Sequence, residues 1–127
     1  YGLFLKGEGD LVLSYTTSPA YHLIEEKKDL YAAATFSEGH YLQVEVAGKL
    51  KAAKQPELAE RFMQFMVTPA FQNTIPTGNW MYPVINTPLP VGFEQMNVPQ
   101  TALQYSAEEV AKQRGGWIRA WQTAVSR

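Results

Sequence analysis

The 127-residue sequence has no cysteine, which excludes disulfides, thiolate metal sites and a cysteine nucleophile while leaving the cellular compartment open. No apolar run approaches the ~20 residues that a membrane-spanning helix requires. Neither sign of charge dominates. The 11 basic and 12 acidic residues give a formal net charge of -1, and the two signs are interspersed, so the chain carries no electrostatic footprint for nucleic acid or anionic lipid. Histidine is scarce: His22 and His40 stand apart, outside any metal-ligand spacing, and both are expected on helix or strand surfaces. No Gly-x-Ser-x-Gly elbow is present, and no base stands beside the serines and threonines of residues 14–18, so catalysis finds no constellation to use and no catalytic residue is assigned. The acid pairs Glu25-Glu26 and Glu108-Glu109 read as solvated helix faces. The opening Tyr1-Gly2-Leu3 has neither an initiator methionine nor the three regions of a signal peptide, and the expectation is a processed or truncated piece.

What is present is a globular composition, 46% hydrophobic and 18% charged, in the length of one domain or part of a larger one. Leu3 to Lys6 resembles the last turn of a helix closed by Gly7 or Gly9. Residues 10–15 read as a short buried strand, and Ser18-Pro19 supplies a cap and a first-turn proline for a helix to about Glu26. Residues 30–36 fit strand or helix, with strand preferred. Alternation of Leu42, Val44 and Val46 with Tyr41, Gln43 and Glu45 is the clearest strand signal. Pro56 opens a helix with Leu58, Phe62, Phe65 and Met66 on one face, stopped or bent at Pro69, and a further turn is expected over residues 70–73. From Ile75 to Thr101, five prolines and two glycines exclude regular helix over most of the stretch. Its aromatics Trp80, Tyr82 and Phe93 imply that it packs on something. A capping box at Ser106 starts a C-terminal helix whose stripe is Val110, Trp117, Ile118, Trp121 and Val125, with Gly115-Gly116 expected to kink it or to admit a close contact.

Two aromatic-rich turns stand out as binding loops: Ser14-Tyr15-Thr16-Thr17-Ser18-Pro19-Ala20-Tyr21, and Thr77-Gly78-Asn79-Trp80-Met81-Tyr82-Pro83. Rings edged by hydroxyl and amide groups suit capture of a heteroaromatic or cationic small molecule. The hydroxyl turn has two readings from local chemistry: a site for phosphate or a polar oxygen, or simple N-capping by Ser18, which leaves Thr16 and Thr17 unexplained. Tyr15 and Tyr21 fit either a ligand wall or the core. Trp80 lacks the helical spacing that would place it in an interior stripe, and it is assigned to a ligand.

Gly9-Asp10-Leu11-Val12-Leu13-Ser14-Tyr15-Thr16-Thr17-Ser18-Pro19-Ala20-Tyr21-His22 resembles the binding segment of the periplasmic thiamine-binding proteins of bacterial ABC importers. The likeness continues through Phe36-Ser37-Glu38-Gly39-His40-Tyr41-Leu42-Gln43-Val44-Glu45, Phe71-Gln72-Asn73, the Trp80 turn, and Trp121 with Ala124-Val125-Ser126-Arg127. It covers effectively the whole chain. The resemblance implies an α/β architecture, the C-terminal portion of a two-lobe type II periplasmic-binding-protein fold. Residues 1–38 would form part of the second lobe, and residues 39–127 a crossover strand and C-terminal helices returning to the first lobe. It also implies ligand-binding roles for Tyr15, Thr16, Thr17, Ser18, Tyr21 and Trp80. Thiamine, thiamine monophosphate or thiamine diphosphate would be the ligand, with no cofactor and no metal. A membrane permease and the N-terminal part of the same protein would be the partners, in the periplasm. Residues 48–53 and 91–102 would be surface. The alternative within the same fold class is a ferric-ion or anion receptor using Tyr15 and Tyr21; a structural domain and an enzyme of thiamine metabolism are the other rivals.

Overall fold

Proline sets where helices begin in this chain. In the computed structural model, which describes residues 1–126, four helices carry proline in their first turn: α2 (Ser18–Ile24), α3 (Pro56–Met66), α4 (Pro69–Gln72) and α5 (Ile75–Gly78). A proline there loses no hydrogen bond, because the first-turn N–H groups have no intrahelical partner, and its fixed φ is already helical. The first helix, α1 (Gly2–Leu5), ends as expected before Gly7 at φ 76°. Helix α6 (Ala107–Val125) opens at the expected cap: Ser106 Oγ accepts from the Glu109 N–H at 3.1 Å. Arg127, the last residue of the resemblance drawn above, lies outside the described residues.

Strands are where the expectations fail. Residues 10–15 and 30–36 are extended or irregular without a ladder, and Leu11 and Leu13 are 87% and 90% exposed. The alternation over 41–46 yields only β1 (His40–Tyr41), paired in parallel with β2 (Ala102–Leu103) in the register His40 to Ala102 and Tyr41 to Leu103. An apolar or alternating run becomes a strand only when another segment satisfies its N–H and C=O groups. For a parallel ladder that segment is remote in sequence. The same parallel pairing, with helices on either side of it in the chain, makes the fold mixed α/β.

The chain divides into two compact units, each built from two stretches. The first joins Tyr1–Thr35 to Glu45–Val98. Its buried centre comprises Ala20, Phe93, His22, Pro76, Thr17 and Gln72. Gln72 holds two loops at once, its Nε2 donating to the Met66 carbonyl at 2.7 Å and its Oε1 accepting from the Val84 N–H at 2.8 Å. Phe71 meets Phe62 and Phe65 edge-on, with ring centroids 6.2 and 5.6 Å apart. The helical stripe of α3 is as expected in spacing, although Leu58, Phe62 and Phe65 remain largely exposed.

The stretch from Ile75 lacks regular helix over most of its length, as expected, apart from helix α5, a four-residue turn that its own Pro76 can start. One expectation for this unit is corrected. Phe93, in the segment taken as surface, is 1% exposed, on a single 3-10 turn (Phe93–Gln95). In a proline-rich meander the only large ring between residues 83 and 104 has to bury itself to recover its transfer free energy.

The second unit joins Phe36–Val44 to the chain from Pro99 onward. Tyr105 links its parts: the ring lies 6.2 Å from Tyr41 and 5.1 Å from Trp117 of α6. Gly115-Gly116 do not interrupt α6, which runs as one 19-residue helix. A Cβ at Gly116 would meet nothing within 4 Å, and one at Gly115 only an arginine tip at 3.6 Å. Among the described residues no close approach explains the two glycines, and nothing else there does. The stripe of Trp117, Ile118, Trp121 and Val125 is helical as expected and exposed.

Candidate functional site

The two aromatic turns, 63 residues apart in sequence, meet through one hydrogen bond. Thr17 Oγ1 donates to the Trp80 carbonyl at 2.6 Å, and Thr17 is 4% exposed. Thr17 also occupies the N-cap position of α2, with its carbonyl accepting from the Ala20 N–H at 3.0 Å. This corrects the sequence expectation that Ser18 is the cap. Ser18 is the first residue of the helix, and its Oγ pairs with Ser14 Oγ at 2.6 Å and accepts from the Tyr15 N–H at 3.3 Å. The threonine earlier left without a role is the one that ties the loops together.

Helix α2 then presents Tyr21 to Trp80. The two rings are edge-to-face, with centroids 5.2 Å apart and planes at 89°, a geometry that matches the positive edge of one ring to the negative face of the other. Trp80 is half-buried and its backbone lies at φ 54°. For a bulky residue the left-handed region costs on the order of 1–2 kcal/mol and persists only where surrounding contacts outweigh it. Here the Thr17 bond takes the carbonyl, and Asn79 Nδ2, one residue earlier, donates to Glu45 Oε2 at 2.9 Å. Tyr21, 40% exposed, and Trp80 thus offer partly open aromatic surface above a fixed backbone.

The remaining candidates lie to either side. Tyr15 is 57% exposed, and its carbonyl accepts from the Ser18 N–H at 3.0 Å. Thr16 is half-buried and lines a cleft of about 120 Å³ with Pro19, Leu23, Tyr31, Met96 and Asn97; none of the other five candidates lines it. The cleft and the Tyr21–Trp80 pair are separate features. Tyr82 and Phe93 were not singled out as site residues. The signal that could have found them is their position, the nearest rings to Trp80 in the same irregular stretch.

Histidine 22 contradicts the surface expectation. It is 2% exposed, because helix α2 turns it inward among Tyr1, Tyr21 and Tyr31. Its Nε2 pairs with the Tyr1 hydroxyl at 2.7 Å and its Nδ1 with Glu26 Oε2 at 2.9 Å. That bond, followed by the Lys28 ammonium at 3.1 Å, holds the Glu26 carboxyl below its ordinary value of 4.5. A depressed carboxyl contributes stability that is present above its unfolded pKa and is lost as pH falls through the folded one. Urea midpoints measured against pH are expected to drop below about pH 4.5, and to drop less steeply in Glu26→Gln. An unchanged acid limb would remove Glu26 from the account.

No protein-family model matches the chain. It is 72% identical over 127 residues to the thiamine-binding periplasmic protein of Escherichia coli (strain K12), matching all of its own length and 39% of that protein's. A protein of the same name from Brucella suis biovar 1 (strain 1330) is 47% identical over 129 residues, again across the whole chain and 39% of the relative. One from Haemophilus influenzae is 45% identical, with 38% of its length covered. Among solved structures, a periplasmic thiamin binding protein superposes with a TM-score of 0.88 at 72% identity, over all of this chain and 40% of that one. The chain spans about two fifths of the length of the curated relatives it matches.

Proposed function

We infer that this chain, homologous along its whole length to the thiamine-binding periplasmic proteins, supplies part of the ligand-binding surface of an ABC-importer receptor. The receptor captures thiamine and its phosphate esters in the periplasm and delivers them to a membrane permease. It makes and breaks no bond of its ligand. The observation that carries the reading is the Thr17–Trp80 hydrogen bond, which joins the two candidate loops and sets Trp80 beside Tyr21.

In this reading the Trp80 and Tyr21 rings take the flat aminopyrimidine and the cationic thiazolium, where a cation over an indole gains about 0.5–2 kcal/mol according to its desolvation. Tyr15 adds a third ring. Thr16 and Ser18 hold the hydroxyethyl or phosphate end, and Thr17 acts mainly by keeping the loops joined, since its hydroxyl is already donated. The same proposal takes the receptor to have the two-lobe type II periplasmic-binding-protein architecture, a reading supported by the homology. Residues 1–38 are assigned to the second lobe together with residues 45–98, which pack with Tyr1–Thr35 in one compact unit. The N-terminal part of the receptor supplies the opposite wall. Closure over the ligand is then a population shift, limited by how much better the closed form binds. The ferric-ion and anion alternative is not favoured, because the relatives at 45–72% identity share the thiamine-binding name.

Calorimetric titration of the full-length receptor tests this. Thiamine and its mono- and diphosphate are expected to bind saturably, with ferric ion and inorganic phosphate giving no heat of binding. Visible absorbance on adding iron, without thiamine heat, would instead establish the tyrosine-phenolate receptor.

A further inference from the structure

Beneath Trp80 lies a second aromatic tier. The Phe93 ring is nearly parallel to the indole, with planes at 13° and centroids 6.3 Å apart, an offset stack. Tyr82 stands edge-on to the same Phe93 ring at 5.9 Å and 84°. Phe93 is almost completely enclosed, whereas Trp80 is half-buried. The enclosed ring is therefore the support, and the half-open ring is what it supports.

The approach to Phe93 is constrained as well. Gly92 sits at φ 106°, where side chains are strained, and a Cβ there would come within 3.2 Å of both Leu23 and Ile24 of α2. Glycine is the residue that permits both the turn and the close approach. The helix that carries Tyr21 is thus packed directly against the turn that carries Phe93. Trp80 contacts both rings, Tyr21 on α2 and Phe93 on the turn.

We propose that Phe93, delivered by the left-handed Gly92, is a positioning residue that fixes the plane of the Trp80 indole against Tyr21, so that the aromatic surface is preformed before any ligand arrives. Its significance for thiamine rests on the function proposed above; the positioning itself does not. Preorganisation lowers the ordering cost of binding, and two half-exposed rings on loops would otherwise have to be immobilised by the ligand. Tyr82 braces Phe93 without touching the outcome through its hydroxyl. That oxygen is buried with no hydrogen-bond partner among the described residues, and burial pushes its pKa up.

The test reads Trp80 directly, without ligand. The chain has three tryptophans, and replacing the exposed Trp117 and Trp121 by phenylalanine leaves Trp80 as the sole indole. In that background Phe93→Met is expected to weaken the near-ultraviolet circular dichroism of Trp80 and increase its quenching by acrylamide, while the far-ultraviolet helical signal holds. Gly92→Ala, which keeps the ring but displaces it, is expected to shift both in the same direction. Tyr82→Phe, which removes only the orphaned hydroxyl, is expected to leave both unchanged. In the full-length receptor Phe93→Met is expected to weaken thiamine about tenfold, comparable with the loss of one aromatic pair. Unchanged Trp80 signals in a folded Phe93→Met protein would overturn the proposal. So would loss of the helical signal in both Phe93→Met and Gly92→Ala, which would make Phe93 a core residue and nothing more. A receptor that binds no thiamine, with the Trp80 signals shifting as expected, would overturn the functional reading and leave the positioning role standing.

Discussion

Trp80→Ala in the full-length receptor is expected to weaken thiamine binding by roughly 70- to 400-fold, equivalent to about 2.5–3.5 kcal/mol at room temperature. The size follows from adding a desolvated cation–indole contact, about 2 kcal/mol, to the aromatic contact with the flat heterocycle, about 0.5–1.5 kcal/mol. The substitution leaves the Trp80 carbonyl in place, so the bond from Thr17 Oγ1 survives. It uncovers one side of Phe93, and a modest loss of stability accompanies the loss of binding. Trp80→Phe keeps a flat face and is expected to retain most of the affinity. Isothermal calorimetry for binding and urea denaturation for folding separate the two effects. An alanine variant that folds and binds thiamine as the parent does would place the ligand elsewhere.

The second large effect concerns the 127-residue chain on its own. Its affinity for thiamine is expected to be at least about 1,000-fold below that of the full-length receptor, a difference of about 4 kcal/mol. Small-molecule sites enclose most of their ligand, commonly 70–90% or more of its surface. Here Tyr21 is 40% exposed and Tyr15 57%, and the Trp80–Tyr21 pair supplies an L-shaped edge rather than an enclosure. A ligand on such a surface keeps much of its hydration and loses the contacts that closure would add. Titration of the isolated chain and the whole receptor under one set of conditions measures the ratio. Equal affinities would mean that this chain holds the entire site, and the role given to an opposing wall would be wrong.

Local chemistry made several features readable before any fold was known. Pro19 and Pro56 mark helix starts because their rings already hold the required φ. Ser106 marks one because its hydroxyl satisfies an N–H three residues away. Trp80 stood out as a ring outside any periodic stripe, and it is half-buried between Tyr21 and Phe93. The strand expectations at 10–15 and 30–36 failed for the complementary reason. Leu11 and Leu13 have strand character, but character does not provide a partner, and their side chains face solvent. His22 looked like a surface residue because no periodicity in its neighbourhood reports that Tyr1, Tyr31 and Glu26 converge on it.

The candidate site divides along the same line. The proposal that these residue types suit a flat cation rather than bond chemistry comes from two short turns and from their likeness to a known binding segment. That the Thr17 hydroxyl holds Trp80, that Phe93 lies beneath the indole, and that Gly92 lets α2 approach are contacts between residues more than about ten positions apart. Caps, prolines and aromatic turns are decided within a few residues by sterics and local hydrogen bonds, so they can be read from the chain. Ladders, buried rings and a strained left-handed tryptophan exist only because distant segments offset their cost, and that compensation appears when the chain is folded.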